Sequence, residues 1–74
     1  MLRYIKIPVN FLTRTFPKRD LLKASYISGA DYFIEDAHFG MLHHSYFISV
    51  TGKDEEISHF IGYLKARGIE LQEF

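Results

Sequence analysis

Apolar and polar residues alternate near the start of the chain in a pattern that predicts a β-strand. Across residues 3–9, Ile5, Ile7 and Val9 fall on one side of an extended backbone, and the intervening residues fall on the other. This period of two is typical of a strand with one buried face. Pro8 lacks a backbone donor, so we expect the strand to end or to reach a sheet edge there.

Three further segments have strand character. Residues 31–39 and 42–51 are rich in aromatic and β-branched residues and are separated by the dipeptide Gly40-Met41. A two-residue connection with glycine first is typical of a type II′ β-hairpin. Residues 69–74 alternate again and predict a last strand.

The two remaining segments predict helices. Residues 17–28 are expected to form the first, since proline is tolerated in a first turn and Gly29 suits a left-handed helix end. The second is predicted to begin after Lys53 and to end near Gly68, because apolar residues between them recur at helical spacing. These residues are Ile57, Phe60, Ile61 and Leu64.

The resulting order is strand, helix, strand, strand, helix, strand, within one domain that spans residues 1–74. This order predicts an α+β fold of the ferredoxin-like type, βαββαβ. In that plan a four-stranded antiparallel sheet carries both helices on one face. The opposite face of the sheet would have no helix of this chain to cover it.

The predicted turn also sets which side chains share a face of the sheet. With a turn at residues 40–41, Phe33 would lie opposite Ile48, and directly opposed residues share a face. Glu35 would then fall on the apolar face, where a charge is unexpected. An inward charge near an edge strand can oppose unwanted strand pairing.

The uncovered face is predicted to be rich in apolar side chains and to serve as a protein interface. The predicted interface residues are Tyr4, Tyr32, Ile34, Phe47 and Phe74. Polar residues on the same predicted face are Lys6, Asp36, His38, His43, Ser45 and Ser49. A contiguous exposed apolar patch usually marks a partner surface. The alternative is that these are ordinary exposed residues of an aromatic-rich chain.

Charge and composition narrow the range of partners. Nine basic residues balance nine acidic ones, so no long-range attraction is expected for nucleic acid or for an anionic membrane. The absence of cysteine excludes disulfides and thiolate metal sites. Charge and proline near the start argue against a signal peptide, and we expect a soluble, cytoplasmic protein. A chain of 74 residues buries little surface, and without disulfides this leaves oligomerisation or a histidine-based metal as the source of added stability.

Three histidines lie close together in the hairpin and raise the question of a metal site. His38 and His43 would face each other across the strands, with Asp36 diagonal to His43. Two imidazoles and one carboxylate can hold zinc. The sequence has no second pair of metal-ligating residues and no metal-binding spacing motif, so a solvated pair of strand histidines is the favoured interpretation. We predict no metal and no cofactor.

Catalysis and RNA binding have less support in the sequence. No nucleophile motif, phosphate-binding loop or metalloprotease motif is present, and we predict that the protein is not an enzyme. RNA-recognition sheets stack bases on aromatic residues of the two central strands, where Tyr4 and Phe47 would lie. Ser45 stands where such a sheet would carry a second aromatic residue, and the net charge is zero.

The second half of the chain carries a family resemblance. Gly40 opens the hairpin, "FISVTG" forms the third strand, "DEEI" begins the second helix, and "YLKARGIEL" leads to the last strand. Over residues 39–74 these features resemble the NIL domain, a small ACT-like domain found at the C-terminus of methionine ABC-transporter ATPases and beside some ferredoxins. The first half is similar only in layout.

The resemblance implies a non-enzymatic regulatory domain that acts as a homodimer and senses a small ligand such as methionine. ACT-like domains often bind ligands near the loop after the first strand, which here holds Asn10, Phe11, Leu12 and Thr13. Phe11 and Leu12 would suit an apolar side chain, and Asn10 and Thr13 a polar group. The alternative function is a protein-interaction or inhibitor module that uses the uncovered sheet face and binds no small ligand.

Overall fold

The computed structural model of the chain describes residues 1–10, 17–40 and 43–73. Within these ranges, only the backbone is described for Asn10, Phe39 and His43. The described elements are β1 (Leu2–Asn10), α1 (Lys18–Ser28), β2 (Asp31–Phe39), β3 (His43–Thr51), α2 (Asp54–Ala66) and β4 (Gln72–Glu73).

The strands form one antiparallel sheet in the order β2-β3-β1-β4. The two long strands β1 and β3 therefore lie in the middle, and β2 forms one edge. The predicted α+β architecture, with a four-stranded antiparallel sheet and two helices, is confirmed. It is compatible with a ferredoxin-like fold.

Both helices pack on the same face of the sheet, and one apolar core lies between them. The core residues are Ile5, Ile7, Val9, Leu21, Ala24, Ala30, Ile48, Val50, Ile57, Phe60, Ile61 and Leu64. The predicted inward residues of β1 and the predicted stripe of α2 all belong to this core. At about 25 cal/mol per Å² of buried apolar surface, this layer is the main source of stability.

The helices run antiparallel to each other. Asp20 in the first turn of α1 forms an ion pair of 3.4 Å with Arg67, which follows α2. At the other end, a Cβ atom on Gly29 would lie 2.7 Å from Oε2 of Glu56, in the first turn of α2. The start of each helix therefore lies beside the end of the other.

Two strand boundaries differ from the sequence prediction. β1 does not end at Pro8 but continues to Asn10, because β3 pairs with it along its whole length. The last strand is shorter than predicted, since only Gln72 and Glu73 pair with β1. Ile69, just before this pairing, still packs against the core.

The connection between β2 and β3 is longer than the predicted two-residue turn. Phe39 lies opposite His44, so the four residues 40–43 separate the last pair, and residues 41 and 42 lie outside the described part of the chain. This shift of two positions preserves which face each side chain occupies near the turn, because side chains alternate with a period of two.

A β-bulge in β2 changes the faces farther from the turn. Asp36 pairs with Phe47 but Ile34 pairs with Ile48, so Glu35 has no partner position on β3. One extra residue moves all the side chains beyond it to the opposite face. The predicted pairing of Phe33 with Ile48 is therefore wrong.

Candidate interaction surface

The sheet face away from the helices, which we call the open face, carries a mixture of aromatic and polar side chains. Its described residues are Leu2, Tyr4, Lys6 and Pro8 of β1, Asp31, Phe33, Asp36 and His38 of β2, Ser45, Phe47, Ser49 and Thr51 of β3, and Gln72 of β4. They alternate along the strands with the buried core residues. No described helix packs on this side of the sheet.

Phe47 lies at the centre of the open face. The edge of its ring meets the ring of His38 in a T-shaped contact with 5.3 Å between centroids. The Nζ atom of Lys6 lies 5.9 Å from the Phe47 ring centroid on the other side. Asp36, opposite Phe47 on β2, approaches Nε2 of His38 at 3.4 Å. Each contact is individually weak, and together they place polar or charged groups on two sides of the Phe47 ring.

A second row of the open face carries two more aromatic side chains. Phe33 and Tyr4 lie on opposite sides of Ser49 in neighbouring strands and are 66% and 46% exposed, respectively. Ser49 itself is buried, and its hydroxyl donates a 2.8 Å hydrogen bond to Oε1 of Glu35. The bulge therefore gives the displaced Glu35 a polar partner outside the apolar core.

The structure places two of the predicted interface residues as expected. Tyr4 and Phe47 lie on the open face. Phe74 lies outside the described residues. The predicted position is wrong for Tyr32 and Ile34, since the bulge turns both toward the helices. Tyr32 packs against the core, with its ring centroid 6.0 Å from that of Phe60.

Phe33 and Leu2 lie on the open face in addition to Tyr4 and Phe47, although the sequence pattern does not predict either of them there. Phe33 was assigned to the core by the uninterrupted register, although it is one of the most exposed large apolar residues. The signal that could have located it was Glu35, because a charge on the predicted core face indicates that the register must shift near it.

The candidate metal ligands His38 and His43 do not have the expected pairing. His38 lies opposite Ser45, whereas His43 lies opposite Asn10 of β1. The longer connection shifts the pairing of β2 with β3 by two residues, so that Ser45 and not His43 lies opposite His38. Among the side chains that the structure describes, no group of three metal-ligating residues forms a cluster. Of these candidates, Asp36 and His38 have described side chains, and the two are in contact.

The predicted amino-acid site lies outside the described part of the chain. Phe11, Leu12 and Thr13 are not described, and of Asn10 only the backbone is described. The ligand-sensing role therefore stays a prediction from the family resemblance. No described helix is both long enough and apolar enough to cross a bilayer.

Comparisons with known proteins give information about the fold alone. No protein-family model matches the chain, and no curated protein matches it. Among solved structures, the chain is similar to the de novo designed protein Ferredog-Diesel, with a TM-score of 0.51 and 12% sequence identity. The similarity covers 100% of this chain and 84% of the designed one. At this identity the similarity supports the layout of strands and helices and carries no function.

Proposed function

We propose that this chain is a non-enzymatic interaction domain of ferredoxin-like fold that pairs with a second copy of itself through the open face. The observation that carries the proposal is the set of aromatic residues on three adjacent strands, Phe33, Phe47 and Tyr4, on the face that no described helix covers. Strand order and element order support the ferredoxin-like assignment.

The charges of the open face favour a second copy as the partner. Across one row of the sheet, Asp36 lies on one side of Phe47 and Lys6 on the other. A two-fold axis through Phe47, parallel to the strands, would place Lys6 of one copy opposite Asp36 of the other. The same axis would place Phe33 opposite Tyr4. The charges of the surface are therefore self-complementary about this axis, as an isologous dimer requires.

The whole-chain charge agrees with self-association. The nine basic and nine acidic residues give a net charge of zero with neutral histidines, so two copies do not repel each other at long range. RNA is a poorer fit to the open face. Lys6 is the only described basic residue on it, and the carboxylates of Asp36 and Glu35 lie nearby.

The size of the face predicts a weak dimer. Three strands of nine residues each, spaced by about 4.8 Å and rising about 3.3 Å per residue, give a projected area of roughly 400 Å². A standard interface buries about 800 Å² on each partner. We therefore expect a dissociation constant of about 10 μM, which is typical of small interfaces.

Sedimentation velocity over a range of protein concentrations tests the proposal. The wild-type chain should pass from monomer to dimer as its concentration rises through the micromolar range. Phe33→Asp and Phe47→Asp should each raise the dissociation constant at least about tenfold, because they bury a charge at the centre of the interface. Phe33 is the cleaner position, since its side chain is mostly exposed and its loss costs the monomer little.

A charge swap distinguishes the proposed geometry from non-specific association. Lys6→Asp alone should weaken the dimer about tenfold, because it places like charges opposite each other in both symmetry-related pairs. The double variant Lys6→Asp/Asp36→Lys should return to within about threefold of the wild type. Lys18→Asp makes the same charge change on the helix side and should have no effect. A wild-type chain that stays monomeric at millimolar concentration would contradict the proposal.

A further inference from the structure

Helix α1 has an unusually apolar outer surface on the helix side of the molecule. Leu22, Tyr26 and Ile27 are 54%, 91% and 64% exposed. Only Leu21 and Ala24 of α1 are buried. Exposed large apolar side chains that lie near one another on a helix can mark a partner surface.

These side chains form one wall of an open groove whose other wall belongs to α2. The groove, which we call the α1 groove, is lined by Leu22, Lys23, Tyr26 and Ile27 of α1 and by Tyr63 of α2, and has a volume of about 690 Å³. Tyr63 is half-buried and packs against the core, which fixes that wall. The groove is shallow, open to solvent and lined mainly by apolar surface.

Basic residues border the α1 groove. Lys18, Arg19 and Lys23 are exposed on the same side of α1 as the apolar residues, because helical neighbours lie three and four positions apart. None of them forms an ion pair with a described residue. Asp20, the one acidic residue of α1, is paired with Arg67 and does not neutralise them. Lys18, Arg19 and Lys23 therefore contribute a charge of +3 along α1 in a chain that is neutral as a whole.

We propose that the α1 groove binds an acidic amphipathic helix of a partner protein. Apolar side chains at i, i+3 and i+4 would fill the groove between Tyr26 and Tyr63. Carboxylates on the flanks of that helix would meet Lys18, Arg19 and Lys23. An anionic membrane would match the same charges, and vesicle binding distinguishes it from a protein helix.

The inference is independent of the proposed dimer. The open face and the α1 groove lie on opposite sides of the sheet, so a dimer formed through the open face would display two grooves facing away from each other. Two grooves on one particle would bind a partner with two helices much more tightly than a single groove would.

Two fluorescein-labelled 18-residue peptides test the inference by fluorescence anisotropy with the full chain at 0.15 M NaCl. One carries leucine at helical spacing with glutamate at the other positions, and the second replaces every glutamate with lysine. The acidic peptide should bind at least about tenfold more tightly. Equal binding of both peptides, or none by the acidic one, would overturn the inference.

Variants locate the site. Tyr26→Asp should weaken binding of the acidic peptide at least about tenfold, and Lys23→Glu about threefold. Tyr26→Ser is a milder second variant and should give a smaller loss in the same direction. Phe33→Asp, an equivalent change on the open face, should leave peptide binding unchanged. If binding follows Phe33 instead of Tyr26, the peptide uses the open face and the inference is wrong.

Vesicles of phosphatidylcholine with one quarter phosphatidylglycerol test the membrane as occupant. Co-sedimentation of the wild-type chain with these vesicles should be no greater than that of Tyr26→Asp. Vesicle binding that depends on Tyr26, without acidic-peptide binding, would overturn the protein partner in favour of a lipid surface.

Discussion

Two separate features favour glycine at position 29, the backbone conformation and the close packing of a neighbouring side chain. Its φ of +82° is the left-handed conformation that ends α1, and its N–H donates a 3.0 Å hydrogen bond to the carbonyl of Ser25. A Cβ atom there would also lie 2.7 Å from Oε2 of Glu56. The other carboxylate oxygen of Glu56 accepts a 2.8 Å hydrogen bond from the N–H of Lys53, so the side chain cannot move away without loss.

We therefore expect Gly29→Ala to lower the free energy of unfolding by about 2 kcal/mol. About 1 kcal/mol comes from the left-handed conformation and about 1 kcal/mol from the disturbed hydrogen bond at the start of α2. Urea denaturation monitored by circular dichroism measures the loss.

Gly68→Ala is the matched control. Its φ is +78°, but no atom lies within 4 Å of the added Cβ position. This variant should lose only the backbone component, about 1 kcal/mol. Equal losses at both glycines would show that the contact with Glu56 contributes nothing.

The glycine positions also show how far sequence reasoning reaches at the residue scale. The sequence predicts that Gly29 ends α1, because a left-handed helix end is a local requirement. It does not predict the contact with Glu56, which is 27 positions away in the chain and depends on how α2 docks. Local conformation is encoded in neighbouring residues, whereas contacts between elements are known only when the register is known.

At the scale of the element, the bulge in β2 determines which aromatic residue packs against the core. Tyr32 packs against Phe60, while its neighbour Phe33 projects from the open face. Tyr32→Ala should lower the free energy of unfolding by about 2 kcal/mol, since a half-buried ring is lost. Phe33→Ala should change it by less than about 0.5 kcal/mol in the monomer.

Denaturation at low micromolar protein concentration compares these two variants without a contribution from association. An uninterrupted strand would give the opposite order, with the larger loss at Phe33. That reversed order would contradict the bulge at Glu35.

The bulge is also the point at which the sequence pattern stops being sufficient. Helix positions, strand positions and the inward residues of β1 follow from periodicity, because each pattern extends over a whole element. A bulge is one residue in length, and one residue changes the face of all those beyond it. Tyr32 and Phe33 are both aromatic, so hydrophobicity alone does not distinguish the two registers.

The two helices should differ in local stability. α2 buries Ile57, Phe60, Ile61 and Leu64, and its first turn is joined to Lys53 by the Glu56 side chain. α1 buries only Leu21 and Ala24, and its N-cap residue Pro17 provides no side-chain cap hydrogen bond. Less buried surface and a weaker cap lower the cost of local opening.

Native-state hydrogen exchange should therefore show faster exchange for the amides of α1 than for those of α2, by at least about tenfold, which corresponds to about 1.4 kcal/mol of opening free energy. The acidic peptide proposed for the α1 groove should slow exchange in α1 specifically. Similar protection of both helices in the free chain would contradict this expectation.

At the scale of the whole molecule, the sequence predicts an aromatic sheet face without a covering helix, but it does not identify a partner for that face. Because the net charge is zero, long-range electrostatic attraction does not select a partner. In the proposed dimer, selection depends on Lys6, Phe47 and Asp36, which lie in one row across the sheet. That row exists only once β2 is aligned with β3. The proposed self-complementarity is therefore a property of the folded sheet and not of any single segment.

Association should make the thermal stability depend on protein concentration. For a dissociation constant of about 10 μM, raising the concentration from about 5 to about 500 μM should stabilise the folded chain by about 1 kcal/mol, because only the folded state dimerises. In a domain of this size, about 1 kcal/mol corresponds to an increase in Tm of roughly 4–8 °C. Calorimetry at the two concentrations measures this increase.

Phe33→Asp should remove the increase in Tm while leaving the Tm at low concentration nearly unchanged. Tyr26→Asp, on the other side of the sheet, should preserve the increase. An increase of the same size in Phe33→Asp would mean that the copies associate through another surface.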